Sequence, residues 1–114
     1  MSTLASRPAV PAPEELYPLL ARVEEALHPL EVWLFGSRAR GDARPDSDWD
    51  ILAVLPDHAS EHLKDPLLAW EIANAASVRT TLLSTTRGEL EALWGRPNTL
   101  GYDLAREGVR LIVR

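Results

Sequence analysis

The chain of 114 residues is 46% apolar and 25% charged. This length is typical of one domain with a single core, and the composition excludes collagen-like and wholly disordered chains. No cysteine is present, which excludes disulfides, thiolate metal sites and a cysteine nucleophile. The net charge of −5 disfavours binding to long nucleic acids, because phosphate contacts by Lys and Arg dominate such binding.

Residues 1–13 contain three prolines among small residues, which predicts a flexible leader. They lack the apolar segment of a signal peptide. No apolar run approaches the roughly 18 residues of a membrane span, so a cytoplasmic protein is expected. Residues 14–114 are predicted to form one domain.

Beyond the leader, hydrophobic periodicity alternates between helix and strand. Residues 15–28 repeat leucine and valine at helical spacing, with Pro18 expected in the first turn. Glu31–Phe35 is apolar on both parities, which predicts a strand covered on both faces. The further predicted elements are a helical turn at 37–41, a strand at 48–55, a helical region at 60–76, a strand at 78–84, helices at 89–94 and 99–107, and a strand at 109–113. This order predicts an α/β or α+β fold, with a small mixed sheet and helices mainly against one face.

The strongest chemical signal lies at the ends of two predicted strands. Gly36 and Ser37 end a buried strand and open a helical turn, where free N–H groups and a residue without a Cβ favour phosphate binding. Asp48 and Asp50 are two residues apart on a predicted strand, so their side chains share one face, with Cα atoms about 6.7 Å apart. Mg²⁺ suits such a carboxylate pair, because it completes its coordination with water and substrate phosphates. The combination is typical of phosphoryl or nucleotidyl transfer.

Alternative interpretations remain open for these residues. The glycine turn and the acid pair can also be an ordinary strand end beside solvated acids. Arg38 and Arg40 are as compatible with surface pairing to Asp42 or Asp46 as with phosphate contact. The spacing alone does not choose between these roles for the two arginines.

The stretch GSRARG…SDWDILAVL, with a leading amphipathic helix and the ending LAREGVRLIV, resembles the minimal nucleotidyltransferases (MNT). These are the small branch of the polymerase-β-like nucleotidyltransferase superfamily, and the resemblance covers most of the chain. It implies that fold and a reaction in which an acceptor hydroxyl attacks the α-phosphorus of a nucleotide, expected to be ATP, with pyrophosphate leaving. The implied site residues are Gly36, Ser37, Arg38 and Arg40 for phosphate binding, and Asp48 and Asp50 for catalysis and for one or two Mg²⁺ ions.

The third predicted strand departs from the family pattern. Active members usually carry a third carboxylate near the start of this strand, which completes the metal site and can accept the hydroxyl proton. Here residues 77–82 read SVRTTL, and Arg79 aligns with the missing acid. A cation at this position contacts phosphate directly, marks a weakened member, or is simply an exposed strand residue.

Stand-alone proteins of this size resemble the antitoxins of HEPN–MNT toxin–antitoxin pairs, some of which adenylylate their HEPN toxin. The first hypothesis is therefore a Mg²⁺- and NTP-dependent transferase that acts on a hydroxyl of a HEPN-family partner. The alternative is a degenerate MNT protein that neutralises the toxin by binding alone, and a weaker third option is a nucleotide-sensing subunit. With 114 residues, the acceptor surface is expected to come from a partner or a second copy. No membrane or long nucleic acid is expected to bind.

Overall fold

Five strands, five helices and two single-turn 3₁₀ helices make up the computed structural model, which describes residues 7–112. The strands are β1 (Ala9–Pro11), β2 (Glu31–Phe35), β3 (Trp49–Leu55), β4 (Thr80–Thr86) and β5 (Val109–Ile112). The helices are α1 (Tyr17–Leu27), α2 (Ser37–Arg40), α3 (Pro66–Asn74), α4 (Arg87–Leu93) and α5 (Leu100–Glu107), and the 3₁₀ turns are Glu14–Leu16 and Glu61–Lys64. In this part of the chain no helix has the length and apolar character needed to cross a membrane.

The strands form one mixed sheet in the order β1-β5-β2-β3-β4. β1 is parallel to β5 and β4 is parallel to β3, whereas the central pairs β5–β2 and β2–β3 are antiparallel. In the β2–β3 register Phe35 lies opposite Asp50. The end of β2 that leads into Gly36 therefore lies beside the start of β3.

Both faces of the sheet are covered, because the central strands carry apolar residues on both parities. Val32 and Ile51 face one cluster, which is completed by buried residues of α1 and α3. Trp33 and Leu52 face the other, which is completed by Leu90 of α4 and Leu104 of α5. The predicted mixed α/β fold class is confirmed. Three of the five helices, α1, α2 and α3, contribute residues to the first cluster, and α4 and α5 contribute to the second.

The helix ends follow from local chemistry. Pro18 lies in the first turn of α1, as expected. The helix is followed by His28, which adopts a left-handed backbone with φ 46° and comes directly before Pro29. Asp65 caps α3 by accepting a hydrogen bond from the Leu67 N–H. β4 begins at Thr80, two residues later than predicted, and runs to Thr86, which forms a capping box with Glu89 at the start of α4. The last predicted residue of β5, at position 113, lies outside the described residues.

The prediction of a flexible leader over 1–13 is wrong for Ala9–Pro11, which form β1 and pair with β5. Arg7 secures this strand, since its guanidinium donates hydrogen bonds of 3.0–3.1 Å to carbonyls at the end of α5 and lies over the rings of Trp33 and Trp94. In return, Arg110 donates a hydrogen bond to the Arg7 carbonyl. Residues 1–6 of the predicted leader lie outside the described part of the chain.

Candidate active site

Gly36 forms a tight turn between β2 and α2. Its backbone has φ 74° and ψ −158°, a combination that only glycine adopts without strain. A Cβ at this position would overlap Oδ2 of Asp50, so the absence of a side chain is what allows the turn to approach the carboxylate. Sequence and sheet register thus place the glycine turn directly against one of the two predicted site acids.

Asp50 lies on β3, on the same strand face as Leu52, and Asp48 directly precedes the strand. Burial raises the pKa of Asp50, and the negative charges of Asp48 and Glu107 raise it further, while Arg40 opposes them. The converging carboxylates therefore create an electrostatic demand for a cation. Mg²⁺ fits this donor set through carboxylate oxygens, with water and substrate phosphates as its other ligands.

The two acids do not form a complete metal cage. Within residues 7–112, no three His, Asp or Glu side chains are grouped so as to hold a metal ion by themselves. In the register of β3 and β4, Thr81 lies beside Asp50, and β4 supplies no acid. A metal ion at this site would therefore depend on substrate oxygens to complete its coordination.

Arg79 occupies the neighbourhood in which the family pattern has a third carboxylate. Its Nε lies 3.2 Å from Oδ1 of Asp48, and its side chain is 75% exposed. The Trp49 N–H donates a 2.9 Å hydrogen bond to the Arg79 carbonyl, which fixes the backbone of Arg79 beside β3. The structure thus brings Arg79 to Asp48, but as a cation that partly neutralises the acid.

The two arginines of α2 have different surroundings. Arg38 donates hydrogen bonds to the carbonyls of Pro45 and Ser47 and lies 4.5 Å over the Trp49 ring, so it supports the loop that leads to β3. The guanidinium of Arg40 is exposed and forms ion pairs with Asp42 and Glu107. The hydrogen bond to Asp42 is the main cause that raises the pKa of Arg40. The charge of Arg40 also lowers the pKa of Asp50, the acid against the glycine turn. The phosphate role of Arg40 stays a prediction, as does that of Arg38.

Glu107 is a site residue that the sequence analysis missed. Its Oε2 accepts a 2.8 Å hydrogen bond from the Gly36 N–H and lies 3.1 Å from Nη1 of Arg40. The contact joins residues 71 positions apart, and only the pairing of β5 with β2 brings them together. One signal was available: a carboxylate in the last turn of a helix opposes the helix dipole and calls for a compensating partner.

A pocket of about 310 Å³ opens beside Asp48. Asp48, Arg79 and Thr80 line its polar side, and Trp70 and Ala73 of α3 line the other. Through this pocket a second molecule can reach the Asp48 carboxylate. A ligand in it would contact the side of Asp48 on which Arg79 lies.

The sequence matches the family model for a nucleotidyltransferase domain over residues 18–101, which is more than half of the chain. The chain belongs to the nucleotidyltransferase domain family. No curated protein matches the sequence significantly. The matched region of this nucleotidyltransferase domain contains the Gly36 turn and both aspartates, whereas Glu107 follows it.

Two solved structures are similar to this chain. The domain is similar to a crystal structure of a toxin–antitoxin with AMP-PNP, with a TM-score of 0.53 and 20% identity over 86% of this chain and 73% of that chain. A second similar structure comes from Sulfolobus solfataricus, and its name describes it provisionally as a nucleotidyltransferase. Its TM-score is 0.47, with 21% identity over 85% of this chain and 82% of that chain. The first likeness shows that the nucleotidyltransferase domain has a fold known from a toxin–antitoxin protein.

Proposed function

We propose that this domain is a Mg²⁺-dependent nucleotidyltransferase that transfers AMP from ATP to a hydroxyl group of a partner protein. The observation that carries the proposal is the close approach of the Gly36 turn to the Asp50 carboxylate on β3, with Asp48 directly before that strand. A triphosphate at the turn would lie within reach of a cation held by the two acids, which is the arrangement that nucleotidyl transfer needs.

Each site residue has a role in this proposal. Gly36 and Ser37 bind the β- and γ-phosphates, and Arg40 neutralises their charge. Asp48 and Asp50 hold Mg²⁺, which when bound polarises the phosphates. In the reaction, the acceptor oxygen forms a bond to the α-phosphorus, the bond from that phosphorus to the bridging oxygen breaks, pyrophosphate leaves, and the hydroxyl proton passes to solvent.

Arg79 and Arg38 support the site in different ways. Because the Arg79 side chain is 75% exposed, it is free to turn from Asp48 to a phosphate oxygen when a metal ion takes its place. Arg38 remains on the loop carbonyls and holds the approach to β3. A direct phosphate contact by Arg38 would require it to give up these hydrogen bonds.

A toxin of the HEPN family is the proposed acceptor, and the protein is then the antitoxin of such a pair, acting in the cytoplasm where ATP is available. Two observations support a protein acceptor. The fold is shared with a structure described as a toxin–antitoxin with AMP-PNP. In addition, the pocket beside Asp48 is open on one side, so an acceptor hydroxyl of another molecule can approach it.

The ion pair between Arg79 and Asp48 favours a second candidate function. A cation already bound to one metal-ligating acid lowers the affinity of the site for a divalent ion. In this alternative the protein is a degenerate MNT domain that neutralises the toxin by contact alone. The two candidates differ in whether the aspartates are needed.

The test uses the purified protein with Mg²⁺, a candidate HEPN-family partner protein, and ATP labelled at the α-phosphate. We expect label on the partner with α-labelled ATP and none with γ-labelled ATP, which separates AMP transfer from kinase activity. Asp48→Asn with Asp50→Asn should abolish transfer. The control is Asp46→Asn with Asp103→Asn, which makes the same charge change at two exposed acids away from the turn.

Growth rescue in cells expressing the toxin completes the comparison. Loss of rescue in the Asp48/Asp50 variant, together with loss of labelling, supports catalytic neutralisation. Full rescue by that variant, with no labelling by the unaltered protein, overturns the transferase proposal and supports neutralisation by binding.

A further inference from the structure

The Glu107 carboxylate lies where a bound anion would contact the Gly36 turn. Its Oε2 accepts the Gly36 N–H hydrogen bond at 2.8 Å, and both of its oxygens lie within 3.1–3.4 Å of Nη1 of Arg40. The Glu107 side chain is 19% exposed, so its bond to the Gly36 N–H is partly buried, whereas the ion pair reaches solvent through Arg40, whose side chain is 46% exposed. Charge-assisted hydrogen bonds of this kind are roughly twice as strong as neutral ones.

The same two donors are those that the proposed function gives to a triphosphate. A carboxylate and a phosphate oxygen place the same demand on an N–H group and a guanidinium. Both anions cannot accept from the Gly36 N–H at hydrogen-bond distance at once. A phosphate that binds there must therefore displace Glu107.

The backbone of Glu107 is fixed while its side chain can rotate. The Gly108 N–H donates to the Leu104 carbonyl at 2.9 Å, and Arg7 donates to the carbonyls of Leu104, Ala105 and Gly108, so the end of α5 is held in place. The glutamate side chain has three rotatable bonds between this anchored backbone and the turn. Displacement of the carboxylate thus requires a rotamer change rather than a movement of the helix.

We propose that Glu107 is an internal competitor of the nucleotide, which closes the phosphate site in the free protein and is displaced when a triphosphate binds. The inference rests on the proposed function, since it assumes that the Gly36 turn and Arg40 receive phosphate. The apparent affinity of the free protein for nucleotide then equals the intrinsic affinity of the open site multiplied by the fraction of molecules in which Glu107 is already displaced. Release of this competitor should therefore tighten binding without any new contact.

Calorimetric titration of the purified full chain with AMP-PNP and Mg²⁺ tests the inference without requiring transfer. Glu107→Gln keeps the shape and removes the charge, whereas Glu107→Asp keeps the charge but is one methylene too short to hold both donors. We expect both variants to bind AMP-PNP about fivefold to tenfold more tightly than the unaltered chain. Asp103→Asn, on the exposed side of the same helix, is the matched control and should leave the affinity unchanged.

The outcomes separate the competing explanations. Tighter binding by Glu107→Gln alone would show a general charge effect and overturn the inference. Equal or weaker binding by both variants, with unchanged thermal unfolding, would show that Glu107 supports the turn rather than closing it, and would also overturn it. If the unaltered chain and all variants fail to bind AMP-PNP, the proposed function fails together with the inference.

Discussion

Asp50 is the residue at which the requirements of the site and of the fold conflict. It lies on β3, partly buried against the Gly36 turn, and it faces the charges of Asp48 and Glu107. Each of these neighbours disfavours its ionised form, which raises its pKa, and only Arg40 compensates. A carboxylate in such surroundings lowers the stability of the free protein but is well placed to bind a cation.

Replacement of Asp50 by Asn should therefore stabilise the free protein. Because the pKa of Asp50 is raised in the folded state, its ionisation costs stability; the cost is absent below the unfolded-state pKa of about 4 and complete above the raised folded-state pKa. We expect Asp50→Asn to increase the free energy of unfolding at pH 7, and to lose this advantage as the pH falls to the unfolded-state pKa of about 4. Urea unfolding in EDTA at both pH values measures the difference.

The exposed Asp46 supplies the control for this experiment. Asp46→Asn removes the same charge from the loop before β3 and should change the free energy of unfolding little at either pH. A lower stability of Asp50→Asn at pH 7 would contradict the electrostatic account of the site.

Gly36 can be tested separately from the acids. Gly36→Ala combines strain from the positive φ with overlap against the Asp50 carboxylate, and should cost roughly 2–3 kcal/mol and abolish AMP-PNP binding. Gly95→Ala is the matched control, because Gly95 has nearly the same φ of 75° but no atom within 4 Å of the added Cβ. It should cost about 1 kcal/mol and leave binding intact. Chemical unfolding and calorimetry measure both effects, and equal losses in the two variants would exclude a specific role for the Gly36–Asp50 approach.

At the scale of elements, the site depends on how α5 is held against the sheet. The helix carries Glu107 to the Gly36 turn, and its last carbonyls are bonded by Arg7 from the chain segment before β1. The cation at this end also offsets the negative end of the helix dipole. An edge strand far from the aspartates in sequence therefore helps to position the turn.

Arg7→Gln should loosen β1 and the end of α5 together. The variant loses three hydrogen bonds to carbonyls and the stacking on Trp33 and Trp94, so we expect a cost of about 1–2 kcal/mol. Hydrogen exchange should accelerate at the β1–β5 pairing and at Gly36. Arg22→Gln, at an exposed position of α1, is the control that should change neither stability nor exchange. Unchanged exchange at Gly36 in Arg7→Gln would show that the turn is independent of α5.

Sequence patterns predicted the elements that have a strong local signal. Continuous apolar runs predicted β2 and β3, and the helical repeat predicted α1, because these patterns are properties of residues adjacent in sequence. The strand Ala9–Pro11 was missed since three residues with two prolines nearby resemble a loop, and its stability comes from pairing with β5 about 100 residues away. The placement of helices on both faces also depends on long-range packing.

The same distinction applies to the candidate site. The proximity of Gly36 to Asp50 could be expected from two motifs on neighbouring strands, and the structure places them in contact. The position of Glu107 in the last turn of a helix indicates that it needs a partner, but not that the partner is Gly36, because this contact spans 71 residues and follows from the order of the sheet. The surroundings of Arg38 were likewise hidden, since its partners are loop carbonyls and the Trp49 ring rather than acids.

At the scale of the whole molecule, the proposed ligand would connect elements that are otherwise joined mainly through the sheet. The Gly36 turn belongs to the end of β2, the aspartates belong to the start of β3, and Arg79 precedes β4. A triphosphate with Mg²⁺ that contacts all three binds only the folded chain. Ligand binding should therefore appear as a gain in global stability.

We expect saturating AMP-PNP with Mg²⁺ to raise the thermal unfolding midpoint of the domain. At a free ligand concentration of about 100 times Kd the stabilisation is about 2.7 kcal/mol, which corresponds to a rise of roughly 10 °C for a domain of this size. The rise should shrink sharply when EDTA removes Mg²⁺, and in the Asp48/Asp50 double Asn variant, because the metal ion connects the carboxylates to the phosphates. Gly95→Ala should unfold at a lower temperature but show the full ligand-induced rise, since its added Cβ lies in open space.

A rise of equal size in EDTA, or in the double variant, would mean that the nucleotide binds without the acid pair. The proposed magnesium site would then be wrong, even if the turn still binds phosphate.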